Sequence, residues 1–242
     1  MKRRTRVFLQ LASSCLTLCL ALSASSFAAS NNNAYLYIVH GIPGRDVADN
    51  LNPGLPIDVL IDGKCPVHGL TFGSTSGPLT IAAGTYDVQI STANTLAPCT
   101  NPELIDALVT LTPGENLSAV TAISGTQLSV LQFTDKLSPV APGNARFVLN
   151  NSADAPALQA TLTQLGVKNP QTYIGSAEPD TQTAIPVLAG NYLVQITAVG
   201  STTVLTSQEI TLADQSVTYS YACGEAVNNS IGLVNRTIRD VF

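Results

Sequence analysis

The chain has 242 residues, of which 45% are hydrophobic and only 11% are charged. A chain of this composition can bury a core, which excludes an intrinsically disordered protein. The formal net charge of −5 argues against nucleic acid and against anionic membrane surfaces as partners.

Residues 1–28 have the pattern of a cleavable signal peptide. Basic residues at positions 2–6 precede an apolar stretch over about residues 7–22, and Ser26 and Ala28 place small residues at the −3 and −1 positions of a cleavage site. An uncleaved membrane anchor fits less well, because the apolar run is interrupted and shorter than a full span. Removing residues 1–28 leaves seven basic against sixteen acidic residues, a net charge of −9. We expect an exported protein, either periplasmic or extracellular at the cell surface.

Short apolar runs bounded by Gly, Pro, Asn and Asp predict about seven strands in the part of the chain that follows. Asp62-Gly63 and Pro113-Gly114 have the composition of turns. The predicted strands lie at 35–39, 57–62, 79–81, 86–90, 104–111, 117–120 and 128–133. This number and spacing favour an immunoglobulin-like β-sandwich.

The same segment occurs twice. Residues 79–90 read LTIAAGTYDVQI, and residues 185–196 read IPVLAGNYLVQI. A spacing of roughly 100 residues suits a small domain rather than a solenoid unit. We therefore predict an all-β chain of two tandem modules, residues 34–137 and 145–242, joined by a Pro-containing linker at 138–144.

In the second module, which lacks the Asp-Gly turn, strands are predicted at 145–150, 184–188, 192–199, 204–212, 217–223 and 230–234. Residues 155–164 fit either a short amphipathic helix or a strand. In both Ala-Gly-x-Tyr segments we expect the glycine to supply a positive φ and the tyrosine ring to pack on the core.

Three cysteines remain after residue 28: Cys65, Cys99 and Cys223. In an oxidising compartment two of them should pair. Cys65 and Cys99 lie in turn-like stretches, whereas Cys223 lies in an apolar run, so we expect a Cys65–Cys99 disulfide and a buried free thiol at Cys223. Three unpaired thiols remain the alternative.

Four motifs occur in a fixed order in the first module: Val39-His40, then LPIDVLIDGK ending at Lys64, then GPLTIAAGTY ending at Tyr86, then LTPG ending at Gly114. In these motifs, over residues 34–134, the chain resembles the DUF4397 family. The resemblance implies a secreted or cell-surface β-sandwich without an assigned reaction. The chain departs from the family pattern in an insertion at residues 41–52 and in its diverged second module.

The candidate binding residues lie in loops of the first module. His40 and His68 are the only histidines, and the insertion adds four polar residues near His40: Arg45, Asp46, Asp49 and Asn50. Histidine and carboxylates can bind a divalent metal. The acidic stretch lacks the alternating oxygen ligands and the glycine of a calcium loop, so we assign no metal and no cofactor. The alternative is that His40 is a strand-end residue hydrogen-bonded to a loop and that the acidic residues form a solvated turn.

Catalytic motifs are missing: the sequence has no Gly-x-Ser-x-Gly elbow, no phosphate loop and no convincing Cys/His pair. We expect a non-enzymatic structural or recognition module that binds an envelope or extracellular protein or glycan through first-module loops. The alternative is a small-ligand or divalent-metal binding protein, or a metal-dependent enzyme, that uses His40 and residues 46–50. A third possibility is a purely architectural spacer.

Overall fold

The computed structural model describes residues 32–47 and 52–241, and these form β-strands together with one 3-10 turn, Gly44–Asp46. The predicted signal peptide lies outside the described residues. The strands of the first module are β1 (Asn33–His40), β2 (Ile57–Ile61), β3 (Lys64–Leu70), β4 (Thr75–Ala82), β5 (Gly84–Thr92), β6 (Glu103–Leu111), β7 (Asn116–Ser124) and β8 (Gln127–Thr134).

The second module also has eight strands in the described residues. They are β9 (Asn144–Asn151), β10 (Leu158–Gln164), β11 (Thr172–Ala177), β12 (Gln182–Leu188), β13 (Gly190–Ala198), β14 (Val204–Leu212), β15 (Ser216–Cys223) and β16 (Gly232–Ile238). Each predicted run overlaps one of these strands. The segment that fitted either helix or strand is strand β10, because it pairs with β11 on one side and β13 on the other.

Each module is a sandwich of two four-stranded sheets. The sheet orders are β3-β2-β5-β6 and β4-β1-β7-β8 in the first module, and β11-β10-β13-β14 and β12-β9-β15-β16 in the second. Every strand of the first module thus has a counterpart eight strands later at the same sheet position. The prediction of two tandem, immunoglobulin-like β-sandwich modules is confirmed.

Two edge strands, β3 and β11, were not predicted. In β3 only Val67 is buried, and in β11 only Ala177. In β3 this leaves little of the apolar–polar alternation that is the usual sequence signal of a strand. In β11 burial does alternate along the strand, but Gly175 occupies a half-buried position and Ile174 is exposed, so the residue types do not reveal it.

The two modules pack against each other through the sheets that contain β7 and β15. Every residue of β15 is buried, and β7 is buried on both faces except at its ends. A separate hydrophobic cluster lies between the modules; it includes Val120 and Phe133 from the first and Val148 and Tyr221 from the second. Both modules belong to one compact unit.

The repeated Ala-Gly-x-Tyr segments place their tyrosines alike. Tyr86 donates a hydrogen bond to the Ala82 carbonyl at 2.7 Å, and Tyr192 donates one to the Leu188 carbonyl at 2.8 Å. The prediction for the glycines was wrong in the first module, because Gly84 is not among the positive-φ residues, whereas Gly190 has a φ of 156°. The hydroxyl bond across the turn, present in both modules, is what the segments share.

Candidate functional site

A disulfide holds the loop that follows β5. Cys65 in β3 is bonded to Cys99, with the two Cα atoms 6.1 Å apart, as predicted. Cys223 is free and buried, and burial raises the pKa of its thiol to about 12. We call residues 93–102, between β5 and β6, the disulfide loop.

The carboxylate of Asp58, in β2, holds this loop through backbone hydrogen bonds. Its carboxylate accepts backbone N–H bonds from Cys99 at 2.8 Å, from Gly69 at 2.9 Å and from Asn94 at 3.0 Å. Burial alone would raise the pKa of Asp58, but these three donors outweigh it and hold the pKa below its ordinary value. Asp58 belongs to the LPIDVLIDGK motif, a signal that could have identified it, but no role was predicted for this residue.

Amide side chains within the disulfide loop fix its remaining turns. The Asn94 carbonyl accepts the N–H groups of Leu96 and Ala97, both at 3.1 Å, and its amide donates to Thr100 at 2.9 Å. Asn101 donates to the Thr92 carbonyl at 3.1 Å. The tip of this well-fixed loop carries Leu96, whose side chain is 95% exposed.

His68 lies beside the disulfide loop. It is exposed, and with Asn94, Thr95 and Pro98 it lines a shallow cavity of about 260 Å³ above Asp58. Of the predicted binding residues that the structure describes, it is the one that lies next to this loop.

His40 does not lie on a binding surface, although it was a candidate binding residue; it is the strand-end residue, hydrogen-bonded to a loop, of the alternative interpretation. It is fully buried; its Nε2 lies 2.7 Å from the Leu55 carbonyl, and its Nδ1 lies 3.2 Å from the Thr121 hydroxyl. A carbonyl only accepts, so Nε2 carries the proton and Nδ1 is the acceptor. Burial lowers the pKa of His40 to about 4, and neither ring nitrogen is left for a metal.

Arg45 and Asp46 contact the second module instead of forming an open loop. Arg45 donates to the Asn229 carbonyl at 3.1 Å, and Asp46 accepts hydrogen bonds from Asn228 and Ser230. The start of the insertion therefore folds against the turn between β15 and β16. Asp49 and Asn50 lie outside the described residues.

A buried polar network between the modules was not foreseen. Arg236 of β16 lies 2.5 Å from Asp135, which follows β8, and donates to Ser118 at 3.1 Å and to Tyr221 at 3.3 Å. The guanidinium also lies 3.6 Å from the ring centroid of Tyr37. Burial raises the pKa of Asp135 to about 6, although the attraction of Arg236 opposes the rise.

Among residues 32–47 and 52–241, no group of three or more His, Cys, Asp or Glu side chains is arranged to hold a metal ion. The same residues include no helix with the length and hydropathy of a membrane span.

The chain is similar to solved structures at low sequence identity and matches a protein family. None of the curated proteins is detectably similar to this chain. "The Bacillus anthracis TIE protein" aligns at 11% identity over 80% of this chain, with a TM-score of 0.27, and the chain spans only 34% of that protein.

Two Bacteroides ovatus structures align over most of both chains. A "putative adhesin" is 10% identical over 87% of this chain and 94% of its own, with a TM-score of 0.26. A "putative cell adhesion protein" is 12% identical over 86% and 98%, with a TM-score of 0.29. Similarity this low leaves the function to be argued from the chain itself.

A family described as "Domain of unknown function (DUF4397)" matches residues 34–161, more than half of the chain. The match covers the first module and extends into β10 of the second, beyond the range in which the motifs were recognised. The protein belongs to the DUF4397 family.

Proposed function

We propose that this protein is an exported, non-enzymatic recognition module that binds a partner through the disulfide loop of its first module. The observation that carries the proposal is Leu96, a large apolar side chain that is 95% exposed at the tip of a fixed loop. Binding residues lie disproportionately on loops that a rigid scaffold positions, and an apolar side chain at the tip of such a loop gains free energy when a partner buries it.

The loop's own bonds support this proposal. A disulfide, a buried carboxylate and two asparagine side chains hold a segment that contributes no side chain to the core of the first module. The core does not require this loop to be ordered. Its order favours binding, because a loop that is already fixed loses less conformational entropy when a partner docks.

A catalytic or metal-dependent role is the less favoured alternative. Its central residue, His40, is buried with both ring nitrogens hydrogen-bonded, and Asp46 is bonded to the second module. Both side chains therefore make hydrogen bonds within the folded chain rather than facing a ligand.

The test is a Leu96→Asp variant, with Val227→Asp as the matched control. Val227 is 83% exposed on the β15–β16 turn of the second module, so both substitutions replace an exposed apolar side chain by the same charge. Binding of the immobilised protein to envelope and extracellular fractions of the producing organism should fall at least tenfold for Leu96→Asp and stay unchanged for Val227→Asp. Equal binding by all three proteins would overturn the proposal.

A further inference from the structure

The first module contains an apolar cleft that is filled in the second module. The cleft has a volume of about 450 Å³ and lies between the edge strands β3 and β4. Its apolar lining residues are Ile61, Pro66, Leu79, Ile81, Ala82 and Tyr86. None of the lining residues belongs to the disulfide loop, so this site is independent of the function proposed above.

Strand register identifies the counterpart of each lining position. Ile61 pairs with Val88 and with Lys64, and Leu162 pairs with Val194 and with Tyr173. Val88 and Val194 occupy the same place in the repeated segment. Tyr173 therefore stands in the second module where Lys64 stands in the first.

Tyr173 fills the second module's cleft. Its ring lies 6.0 Å, centroid to centroid, from that of Tyr192, the counterpart of Tyr86, and its hydroxyl accepts the Leu188 N–H at 3.4 Å. Tyr192 is fully buried and Ile185 is 5% exposed. Tyr86 and Leu79, their counterparts in the first module, are only half-buried.

A second difference between the modules lies at the position that Gly175 occupies. Gly175 in β11 is so close to β12 that a Cβ atom there would lie 2.6 Å from the Ile185 side chain. By register its counterpart in β3 is Val67, which pairs with Val59 as Gly175 pairs with Ala160. The glycine permits this close approach of the two sheet edges in the second module, and the first module carries a valine side chain at the same position.

We infer that the cleft of the first module binds a tyrosine side chain presented by a partner polypeptide, in the place that Tyr173 fills in the second module. Tyr173 shows that a phenol ring fits between the corresponding strands of the second module. Lys64, exposed at the rim, has no ion-pair partner among the described residues, and a free ammonium suits the electron-rich face of an aromatic ring. The volume exceeds that of one ring, which leaves room for the residues that flank the tyrosine.

The test titrates the protein with a capped peptide that copies residues 171–175, which surround Tyr173, and follows binding by NMR. We expect chemical-shift changes at Leu79, Ile81 and Tyr86, and at least a tenfold weaker affinity when the peptide's tyrosine is replaced by alanine. The comparison of the two peptides uses the native protein only, so it tests the inference even if a protein variant fails to fold.

The protein control is Lys64→Tyr, which should fill the cleft from within and weaken peptide binding at least tenfold. Lys168→Tyr makes the same change in the β10–β11 connection and should leave binding unchanged. The inference would be overturned if millimolar peptide caused no chemical-shift changes, or if the changes persisted after the peptide's tyrosine is replaced. It would also be overturned if p-cresol bound as tightly as the peptide, because the cleft would then be a small-molecule site.

Discussion

His40 shows how a polar residue can serve the fold rather than a ligand. The imidazole is neutral because its burial disfavours the charged form, and its two nitrogens join the Leu55 carbonyl to the Thr121 hydroxyl. These contacts tie the end of β1 to the segment that leads into β2 and to β7.

The lowered pKa of His40 predicts a loss of stability in acid. Unfolded chains bind a proton on histidine near pH 6.5, whereas the folded chain does so only near pH 4. Between these values the unfolded state binds more protons, so this group lowers the free energy of unfolding as the pH falls from 6.5 to 4. Denaturant unfolding at a series of pH values checks the prediction.

A His40→Gln variant is the control, since glutamine retains polar groups but does not titrate. Asp135, whose pKa is raised to about 6, contributes with the opposite sign as the pH falls below 6, and it does so in both proteins. As the pH falls from 6.5 to 4, the free energy of unfolding should therefore fall less, or rise more, in the variant than in the native chain. Equal slopes, or an NMR titration of His40 near pH 6.5, would contradict the assignment.

At the level of elements, the disulfide and Asp58 hold the same loop by different means. The bond between Cys65 and Cys99 links the loop to β3, and the carboxylate holds the Asn94 and Cys99 backbone from β2. The loop should keep part of its order when either one is removed.

Removing the disulfide should destabilise the protein without unfolding it. The cysteines are 34 residues apart in sequence, and opening a loop of this length lowers the free energy of unfolding by about 3–4 kcal/mol. A double Cys65→Ser/Cys99→Ser variant, compared by thermal and denaturant unfolding, should show this loss, and the reduced native chain should match it. An unchanged free energy of unfolding would show that the bond contributes nothing to stability.

The elements that sequence could predict are those whose side chains alternate or form apolar runs. β1, β5 and β13 were predicted because their buried residues recur regularly. β3 was missed because its one buried side chain leaves no such pattern, and β11 because a glycine occupies a half-buried position while Ile174 is exposed.

The candidate site was predictable only in part. The disulfide was predicted because Cys65 and Cys99 both lie in turn-like stretches of sequence. The role of Asp58 depends on N–H groups 11, 36 and 41 residues away, and Asp135 and Arg236 are 101 residues apart. Contacts this distant in sequence are set by packing, which one sequence alone does not reveal.

At the level of the whole molecule, the Arg236 network makes the two modules one structural unit. Its members come from both modules, and the guanidinium is enclosed by Tyr37, Tyr219 and the Asp135 carboxylate. Removing one partner of a buried ion pair leaves an uncompensated charge, which is strongly destabilising.

Arg236→Met should lower the free energy of unfolding by about 3–5 kcal/mol and split one cooperative calorimetric transition into two. Arg239→Met, an exposed arginine three residues away, controls for the loss of charge. Adding Asp135→Leu to Arg236→Met should restore most of the stability, because no buried charge then remains. A single transition in every variant would mean that the network does not couple the modules.

The most direct test of the proposed recognition function is site-specific photo-cross-linking. A photoreactive amino acid is placed at position 96 in one protein and at position 227 in another, and each is illuminated with envelope and extracellular fractions. We expect a discrete adduct from position 96 only, suppressed by excess unmodified protein but not by excess Leu96→Asp. Equal adducts from both positions, or none from position 96 while the protein still binds, would contradict recognition through the disulfide loop.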